Sequence, residues 1–377
     1  MEKGKRLYSL DVFRGFVIAA MILVNNPGSW DYVYRPLDHA PWNGMTPTDF
    51  IFPFFIVIMG ISAAFSLKKY GYRWSSSAAG KIIKRTLILM LVGYGTGWLG
   101  RALHRAYEGK GAAYALWNFD TARIMGVMVR LALVYLFLSI LALSFSDRTV
   151  AGICACLLVV YSVVLLVGHG FEQTPQNIVG IVDRALLPEN HRLEELYDPE
   201  GVLSTIPAIA QGCLGYLCGK MILKTPDNHY RMRHLFLSGF PMAVAGWLLS
   251  FGIPLNKRMW SPTFVLVTTG VAFLNLAFFL WAIDLRNTRK YFTFFEAFGR
   301  NALLVFIYST VFTILLCDIQ VPAGGEHQSL WNCAYEFVFV PVFRNPYFSS
   351  LMQAVVYVVL MWLPSLILYR KNIYVKI

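Results

Sequence analysis

The chain has 377 residues, of which 57% are hydrophobic and only 14% charged, and its mean hydropathy is +0.54. Soluble globular domains carry about a quarter charged residues, so this composition excludes an ordinary soluble protein. A net charge of +12 would suit a nucleic-acid partner in a soluble protein. Here the positions of Lys and Arg between apolar segments account for the charge, and we expect no nucleic-acid partner.

The first apolar segment follows Lys3, Lys5 and Arg6, as it would in a secretory signal. Asp11 and Arg14 interrupt the segment, however, and no cleavage site of the small-x-small type follows it. We therefore predict a first span that is retained in the protein.

Apolar segments of about twenty residues recur along the whole chain, and each can cross a bilayer as a helix. They predict an all-α integral membrane protein, a polytopic bundle of about ten transmembrane helices that forms one domain over residues 1–377. The predicted spans are about 8–26, 48–67, 82–100, 122–145, 149–168, 203–222, 234–253, 262–284, 297–317 and 349–369.

The distribution of Lys and Arg predicts the orientation of the bundle. With a cytoplasmic N-terminus, twenty of these residues fall on cytoplasmic connections and nine on the opposite side. This ratio predicts that both termini are cytoplasmic, and it requires an even number of spans. The outer connections are long and rich in Trp, Asp, Asn and Pro, so we expect the chemistry there. They are about 27–47, 101–121, 169–202, 254–261 and 318–348.

The cysteines and the known catalytic motifs give little information. Six cysteines show neither zinc spacing nor a disulfide framework. Cys317 and Cys333 flank one outer loop and pair only if it faces an oxidising compartment; otherwise they are small apolar residues. The sequence contains no P-loop, G-x-S-x-G or H-E-x-x-H motif, and we predict no metal.

The stretch "LDHAPWNGMTPTDF" (residues 37–50) carries unusual chemistry for a connection between two spans. Its second half predicts a helix start, because Thr46 can cap the helix, Pro47 suits its first position, and Asp49 completes a capping box. His39 has no such structural explanation. Asp38 is adjacent to it, and a histidine can accept a proton from an attacking amine or hydroxyl near neutral pH.

Polar residues within the predicted spans have two interpretations each. Asn25 and Asn26 end the first span either as a helix C-terminus or as a buried amide that supports an oxyanion. Asp11 and Arg14 lie on one helix face, as an ion pair or with Arg14 facing an anion. Arg123 and Arg130 are seven apart and also share a face.

This arginine pair indicates either a cavity for an anion such as a phosphate or pairing with carboxylates elsewhere. Asp198 and Glu200 can bind a cationic or hydroxylated substrate or form a solvated turn. The loop with Lys257, Arg258 and Trp260 belongs to the site or anchors the chain at the membrane interface. Arg300 and Asn301 fall at or within a span, where an amide needs a partner. The pairs Gly93/Gly97 and Gly215/Gly219 predict close helix packing.

Several stretches together resemble the heparan-alpha-glucosaminide N-acetyltransferase family and its bacterial relatives. They are "SLDVFRG", "HAPWNGMTPTDFIFPFFIVIMG", "RIMGVMVRLALVYL", "DPEGVLSTIPAIAQGCLGYLCG" and "NKRMWSPTFVL", in the family's order from about residue 7 onward. The resemblance implies transfer of an acetyl group from cytosolic acetyl-CoA to an amino sugar or glycan on the luminal or periplasmic side.

The resemblance also implies roles for single residues. The family's essential histidine matches His39, and the asparagine that ends the first span matches Asn25. Arg123 and Arg130 match the "R-x-x-G-V-x-x-R" pattern, with Val129 where relatives often carry Gln. We expect no counterpart here of the luminal domain that precedes the first span in the animal enzyme, so the resemblance does not imply heparan as the substrate.

We therefore expect an acetyltransferase of the bacterial inner membrane, in which His39 is the general base or a transient acetyl carrier and Asn25 holds the thioester carbonyl. The residues expected at acetyl-CoA are Arg14, Arg123, Arg130 and Asn301. Those expected at the glycan or amino-sugar acceptor are Asp38, Trp42, Asn43, Asp198 and Lys257. A homodimer is compatible with the sequence. Two other functions remain open, namely a transporter for a sugar or acyl compound and a non-catalytic membrane scaffold.

Overall fold

The computed structural model describes residues 7–106, 112–323 and 326–375. Lys3, Lys5, Arg6, Lys110 and Lys376, which contributed to the predicted orientation, lie outside these ranges. The helices are α1 (Tyr8–Asn25), α2 (Ile51–Leu67), α3 (Ser76–Ala106), α4 (Ala112–Trp117), α5 (Val127–Ser144), α6 (Asp147–Val167), α7 (Ile178–Leu186), α8 (Thr205–Lys224), α9 (Asn228–Leu249), α10 (Pro262–Phe279), α11 (Thr293–Arg300), α12 (Ala302–Asp318), α13 (Leu330–Ala334), α14 (Val340–Phe343) and α15 (Pro346–Arg370).

Strand structure in the described ranges is limited to one antiparallel hairpin, β1 (Gln320–Ala323) and β2 (Glu326–Ser329). Short 3₁₀ segments cover Arg35–Leu37, Pro47–Phe50, Lys68–Tyr70, Glu189–His191 and Arg289–Phe292. Two π-helical segments, Leu280–Leu285 and Tyr335–Phe339, extend α10 and join α13 to α14. The predicted all-α membrane fold is confirmed.

Helix starts follow the local sequence. Ser146, Ser261 and Asn345 each precede a long helix and accept a hydrogen bond from a backbone N–H in its first turn. Pro262 and Pro346 then occupy the first helical position, where a missing N–H costs nothing.

Within the described ranges, eight helical segments are long and apolar enough to cross a membrane. They are Tyr8–Asn25, Pro47–Tyr70, Ser76–Ala106, Val127–Ser144, Asp147–Val167, Thr205–Lys224, Pro262–Leu285 and Pro346–Arg370. The protein is therefore a multi-pass membrane protein.

The predicted number of about ten spans exceeds these eight for two physical reasons. The predicted span at 297–317 is a bent pair, because α11 and α12 meet at 74° beside Asn301. The predicted span at 234–253 corresponds to α9, whose first turns carry Arg231 and Arg233 and lower its hydropathy. Counting the bent pair as one span gives at most nine.

The central helices are α1, α2, α5, α8 and α10, because more than half of the most apolar window of each is buried. Helices α3, α6 and α15 lie at the periphery and expose apolar side chains to the surroundings. Gly215 and Gly219 of α8 pack against the backbone of α2, as their spacing predicted. Gly93 packs against Met128 of α5, whereas Gly97 contacts no neighbouring helix. Cys317 and Cys333 are not bonded to each other.

Candidate functional site

His39 lies in the connection between α1 and α2. A 3₁₀ turn from Pro47 to Phe50 leads into α2, and both hydrogen bonds of a capping box are present between Thr46 and Asp49. The predicted helix start is therefore confirmed. The carboxylate of Asp49 is 1% exposed, although the His39 side chain beside it remains 44% exposed.

The two oxygens of Asp49 have different partners. Oδ2 accepts hydrogen bonds from the backbone N–H groups of Thr46 (2.9 Å) and Ala40 (3.1 Å), which closes the turn. Oδ1 lies 2.7 Å from Nδ1 of His39. A carboxylate held by N–H donors is ionised, so we assign the imidazole proton to Nδ1, which donates to Asp49, and the lone pair to Nε2. Asp49 thus caps a helix and orients His39.

Lys257 joins this pair from the loop between α9 and α10. Its Nζ lies 3.3 Å from Oδ1 of Asp49 and 3.0 and 3.4 Å from the two ring nitrogens of His39. Burial lowers the pKa of Lys257, while the negative charges of Asp49 and Glu200 partly offset this effect. His39, Asp49 and Lys257 form the cluster that we call the His39 triad.

The His39 and Lys257 loops are fastened to each other. Asn256 donates its side-chain N–H to Oδ1 of Asn43 at 3.0 Å, and the backbone N–H of Gly44 donates to the carbonyl of Leu255 at 2.7 Å. Trp42 donates from Nε1 to the carbonyl of Phe171 at 2.7 Å. These contacts explain how segments more than two hundred residues apart hold three polar groups together.

A cavity of about 390 Å³ lies beside the triad. Its polar wall contains His39, Lys257, Glu200, Asn25 and Asn26. Asn25 is exposed towards the cavity and forms no hydrogen bond with the described residues, whereas Asn26 is tied to the carbonyl of Ile22 and to Thr313. The two asparagines therefore differ: the Asn25 amide is available to a ligand.

The structure brings only some of the predicted site residues to this cavity. His39, Asn25 and Lys257 line it. Asp38 accepts the backbone N–H of His39 at 2.7 Å and is exposed. Trp42, Asn43 and Asp198 do not line it, because their side chains hold the surrounding loops. Asp49 was predicted only to start a helix, and Glu200, for which substrate binding was one of two alternatives, lines the cavity.

Arg123 is paired with carboxylates, the second of the two possibilities that its sequence position left open. Its Nε and Nη2 donate to Asp198 at 3.1 and 2.5 Å, and Nη2 also donates to Glu200. Asp198 is fully buried. Burial alone would lower the pKa of Arg123, but the hydrogen bonds and negative charges of Asp198 and Glu200 outweigh burial, so this pKa is raised.

Arg130 is fully buried in α5 and donates from Nη2 to Ser204 and to the carbonyl of Gly201. Its guanidinium lies 5.0 Å from the ring of Trp260. Nε and Nη1 have no hydrogen-bond partner among the described residues. Trp260 is itself buried and donates to Gln211, so it is not an interfacial anchor. Arg123 and Arg130 thus fasten residues 198–204 to α5.

A second cavity, of about 430 Å³, lies towards the opposite end of α1 and α2. Four cationic side chains line it: Arg14, Lys81, Arg85 and Arg300. Arg14 donates to Ser62 at 2.8 Å and lies 3.2 Å from Asp11, so the predicted ion pair is formed, and binding of an anion by Arg14 stays a prediction. In the sequence, Lys81 and Arg85 contributed only to the predicted orientation of the bundle. Their position in the first turns of α3 did not indicate that they line a cavity.

Asn301 does not line either cavity, but it holds a segment that does. Its side chain donates to the carbonyl of Ile373 and accepts from the N–H of Val375, both at 2.9 Å. Tyr374 and Val375 then form part of the wall of the basic cavity. The side-chain amide of Asn301 thus has the hydrogen-bond partner that its predicted position at or within a span requires.

The two cavities meet. Both are lined by Met21, Phe55, Val127 and Phe306, which we call the apolar neck. We call the two adjoining cavities together the path; cations line one end of it and the His39 triad the other. Among the described residues, no group of three His, Cys, Asp or Glu side chains is placed to hold a metal ion.

Comparison with known proteins identifies two similar sequences. No family model matches the chain. Heparan-alpha-glucosaminide N-acetyltransferase of Mus musculus is 25% identical over 443 positions, covering 100% of this chain and 61% of that protein. The protein of the same name from Homo sapiens is 28% identical over 367 positions, covering 81% of this chain and 53% of that protein.

The chain thus spans only part of the length of these relatives, about three fifths of the mouse protein and about half of the human one. The similarity nevertheless includes most of the chain, and with it the stretches around His39 and Lys257 whose loops form the triad. These comparisons support the resemblance inferred from the sequence: the chain is similar to heparan-alpha-glucosaminide N-acetyltransferase over most of its length.

Proposed function

We propose that this protein is a membrane acetyltransferase that moves an acetyl group from acetyl-CoA, supplied from the cytoplasm, to the amino group of a sugar or glycan on the other side of the membrane. The observation that carries the proposal is the meeting of the basic cavity and the His39 cavity at the apolar neck. The names of the relatives, both N-acetyltransferases, support the reaction class.

The chemistry of the basic cavity suits coenzyme A. Arg14, Arg85 and Arg300 present guanidinium groups, which bind phosphate oxygens in pairs, and Lys81 adds a fourth positive charge. Beyond them the neck is formed by Met, Phe and Val side chains, a suitable lining for the uncharged pantetheine arm. This arrangement would bring the thioester to the His39 end of the path.

At that end the triad can carry out the transfer. Nε2 of His39 accepts the proton of the attacking amine while the nitrogen forms a bond to the acetyl carbon. The carbon–sulfur bond then breaks, and the thiolate of CoA leaves and takes up that proton. Asp49 holds the imidazole and stabilises its charged form. Lys257 and Asn25 face the same cavity and can donate to the oxygen on which negative charge develops.

A two-step route uses the same groups. Nε2 would attack the thioester itself, CoA would leave, and the acetyl-imidazole of His39 would then transfer its acetyl group to the amine. Both routes need a lone pair on Nε2, and the contact of Nδ1 with the buried Asp49 carboxylate orients the imidazole for either. They differ in one measurable respect: only the two-step route releases CoA in a single turnover before the acceptor is added.

The proposal is tested with full-length protein in proteoliposomes, with labelled acetyl-CoA supplied on one side and glucosamine on the other. We expect His39→Ala to reduce transfer by roughly a hundredfold or more, the usual contribution of a general base. His169→Ala is the matched control, because His169 is also exposed and lies 3.0 Å from a carboxylate, Glu172.

Two results would contradict the proposal. If His39→Ala transfers as well as the His169 variant, the triad is not the catalytic centre. If the wild-type protein carries a sugar across the vesicle membrane without acetyl-CoA and never forms an acetylated product, the path serves transport instead. Transport remains the second candidate because a path lined by intramembrane charges also suits a transporter.

A further inference from the structure

A third cavity adjoins the path at its His39 end. It has a volume of about 400 Å³ and lies between α3, α5 and α12. We call it the glycine groove, since Gly93, Gly97 and Gly100 line it together with Arg101, Thr310 and Ile314. It shares Val127, Phe306, Thr310 and Ile314 with the His39 cavity, so the two cavities have a common wall.

The groove opens sideways, towards the surface that lipid would cover. Tyr94 and Gly97 on its rim are exposed, and the neighbouring face of α3 exposes Leu91 and Trp98. Three glycines on one helix leave room for a chain-like ligand where side chains would otherwise fill the space. At Gly97 an added Cβ would lie only 3.4 Å from Nη1 of Arg101.

Arg101 lies in the last turns of α3, and its guanidinium points back one turn and lies over Gly97, the direction in which helical side chains tilt. The positive charge of Arg101 is therefore placed at the wall of the groove. No ion pair or hydrogen bond to its side chain is found within the described residues, although Asp318 lines the adjoining extension of the groove.

Arg123 stands at the opposite wall of the groove. Its Nε and Nη2 are used by Asp198, whereas its Nη1 lies 3.9 Å from the position of a Cβ on Gly126, a lining residue. The groove thus combines an apolar channel with a guanidinium, that of Arg101, for which the described residues provide no ion pair or hydrogen bond. That combination fits an anionic group attached to a hydrocarbon chain.

From these observations we propose that the glycine groove binds the acceptor, and that the acceptor is a lipid-anchored amino sugar whose phosphate lies against Arg101. The inference rests on the proposed function, because it assigns the acceptor of that reaction. The hydrocarbon chain would lie between α3 and α12, and the amine would reach the His39 cavity across the common wall.

The test uses full-length protein in phosphatidylcholine nanodiscs and three acceptors. They are glucosamine joined to a decyl chain through a phosphodiester, decyl glucosaminide without the phosphate, and glucosamine phosphate without the chain. We expect the wild type to prefer the first. Arg101→Gln should raise KM for the two phosphate-bearing acceptors by roughly tenfold, the effect of losing one charge-assisted contact, and leave KM for decyl glucosaminide unchanged.

Two further variants show whether an effect of Arg101→Gln comes from the lost contact or from misfolding. Arg35→Gln removes the same charge from an exposed residue of the His39 loop outside the groove and should change none of the three KM values. Arg101→Lys should restore part of the preference for phosphate. Binding of acetyl-CoA to the Arg101 variants should equal that of the wild type, since Arg101 lines neither the basic cavity nor the neck.

Equal KM values in the Arg101→Gln and Arg35→Gln variants for every acceptor would overturn the inference while leaving the acetyltransferase in place. Failure of the wild type to acetylate any amine, free glucosamine included, would reject the proposed function instead. In that case binding of decyl phosphate is measured by calorimetry. Binding that depends on Arg101 would then make the groove a site for anionic lipid and not for an acceptor.

Discussion

At the scale of single residues, Asp49 shows how one side chain serves both fold and site. Its Oδ2 closes the capping box that starts α2, and its Oδ1 contacts His39. The helix start therefore fixes where the imidazole points. A carboxylate that caps a helix with one oxygen can therefore orient a neighbouring side chain with the other.

Asp49→Asn separates these roles. An amide oxygen can still accept the cap hydrogen bonds, but it does not stabilise a charged imidazole as a carboxylate does. We expect kcat to fall by about a hundredfold, within the range for impaired acid–base catalysis, with little change in KM for acetyl-CoA. Steady-state kinetics measure this. Thr46→Ala, which removes only a cap hydroxyl, should retain kcat, and an equal loss in both variants would assign the effect to the cap.

Lys257 predicts a specific pH dependence. Burial lowers the pKa of its ammonium group, so the positive charge is present at low pH and is lost as pH rises through that lowered value. If the charge stabilises the developing oxyanion, kcat falls on the alkaline side. An arginine keeps its charge at higher pH, so Lys257→Arg should move this alkaline fall upward.

The control for this profile is Lys224→Arg, because Lys224 is exposed and pairs with Asp147 at the C-terminal end of α8. Its profile should equal that of the wild type. A Lys257→Arg variant whose alkaline fall stays in place would exclude Lys257 as the titrating group. Lys257→Met should lower kcat at pH values where the wild-type ammonium group is charged, and the difference from the wild type should shrink above its pKa.

At the scale of helices, the site depends on the close approach of α2 and α8. A Cβ on Gly215 would lie 2.4 Å from the carbonyl oxygen of Val57, and one on Gly60 would lie 2.1 Å from that of Gly212. Both distances are shorter than a van der Waals contact, so glycine is required on each helix. Since α2 begins at the capping box, a shift of α2 would also move Asp49.

Gly215→Val should therefore destabilise the protein by about 2 kcal/mol, as overpacking usually does, and should also reduce acetyl transfer. The matched control is Gly152→Val on α6, where an added Cβ would have no neighbour within 4 Å. Thermal unfolding of the detergent-solubilised proteins gives the comparison. Equal unfolding temperatures for the two variants would mean that α2 and α8 can separate without cost.

Local patterns were sufficient to predict most of these elements. The apolar segments matched helices, the spacing of Gly215 and Gly219 matched a helix contact, and Thr46-Pro47-Thr48-Asp49 matched a helix start. The bend beside Asn301 escaped prediction, because it depends on the chain end packing against that amide. Elements determined by contacts between residues close in sequence were predicted, whereas the bend, which depends on a contact between distant residues, was not.

The site was less predictable for the same reason. His39 and Asn25 were found from their own positions and from the family resemblance. The contact of Lys257 with Asp49 joins residues from distant parts of the chain, and no spacing encodes it. Arg123 had two possible partners in the sequence, an anionic ligand or a carboxylate, and only the folded chain shows Asp198 beside it.

At the scale of the whole molecule, the apolar neck separates two differently charged environments. Four cationic residues lie on one side of it and the triad on the other, and the neck itself contains only Met, Phe and Val side chains. An uncharged thioester arm can pass such a neck, whereas the phosphates of coenzyme A would have to leave water to do so. Under the proposed function, the neck would keep the phosphates of acetyl-CoA and the acceptor on opposite sides.

This division predicts that blocking the neck uncouples binding from transfer. Met21 lines both cavities, so Met21→Trp should narrow the path and reduce transfer to an acceptor by roughly a hundredfold, while acetyl-CoA binds within about a factor of three of the wild type. Val159→Trp, on the exposed face of α6, is the control for the added bulk. Calorimetry with acetyl-CoA and the transfer assay measure the two quantities separately. Unchanged transfer in Met21→Trp would mean that the thioester reaches His39 by another route, whereas parallel loss of binding would place the acetyl end, and not only the arm, at the neck.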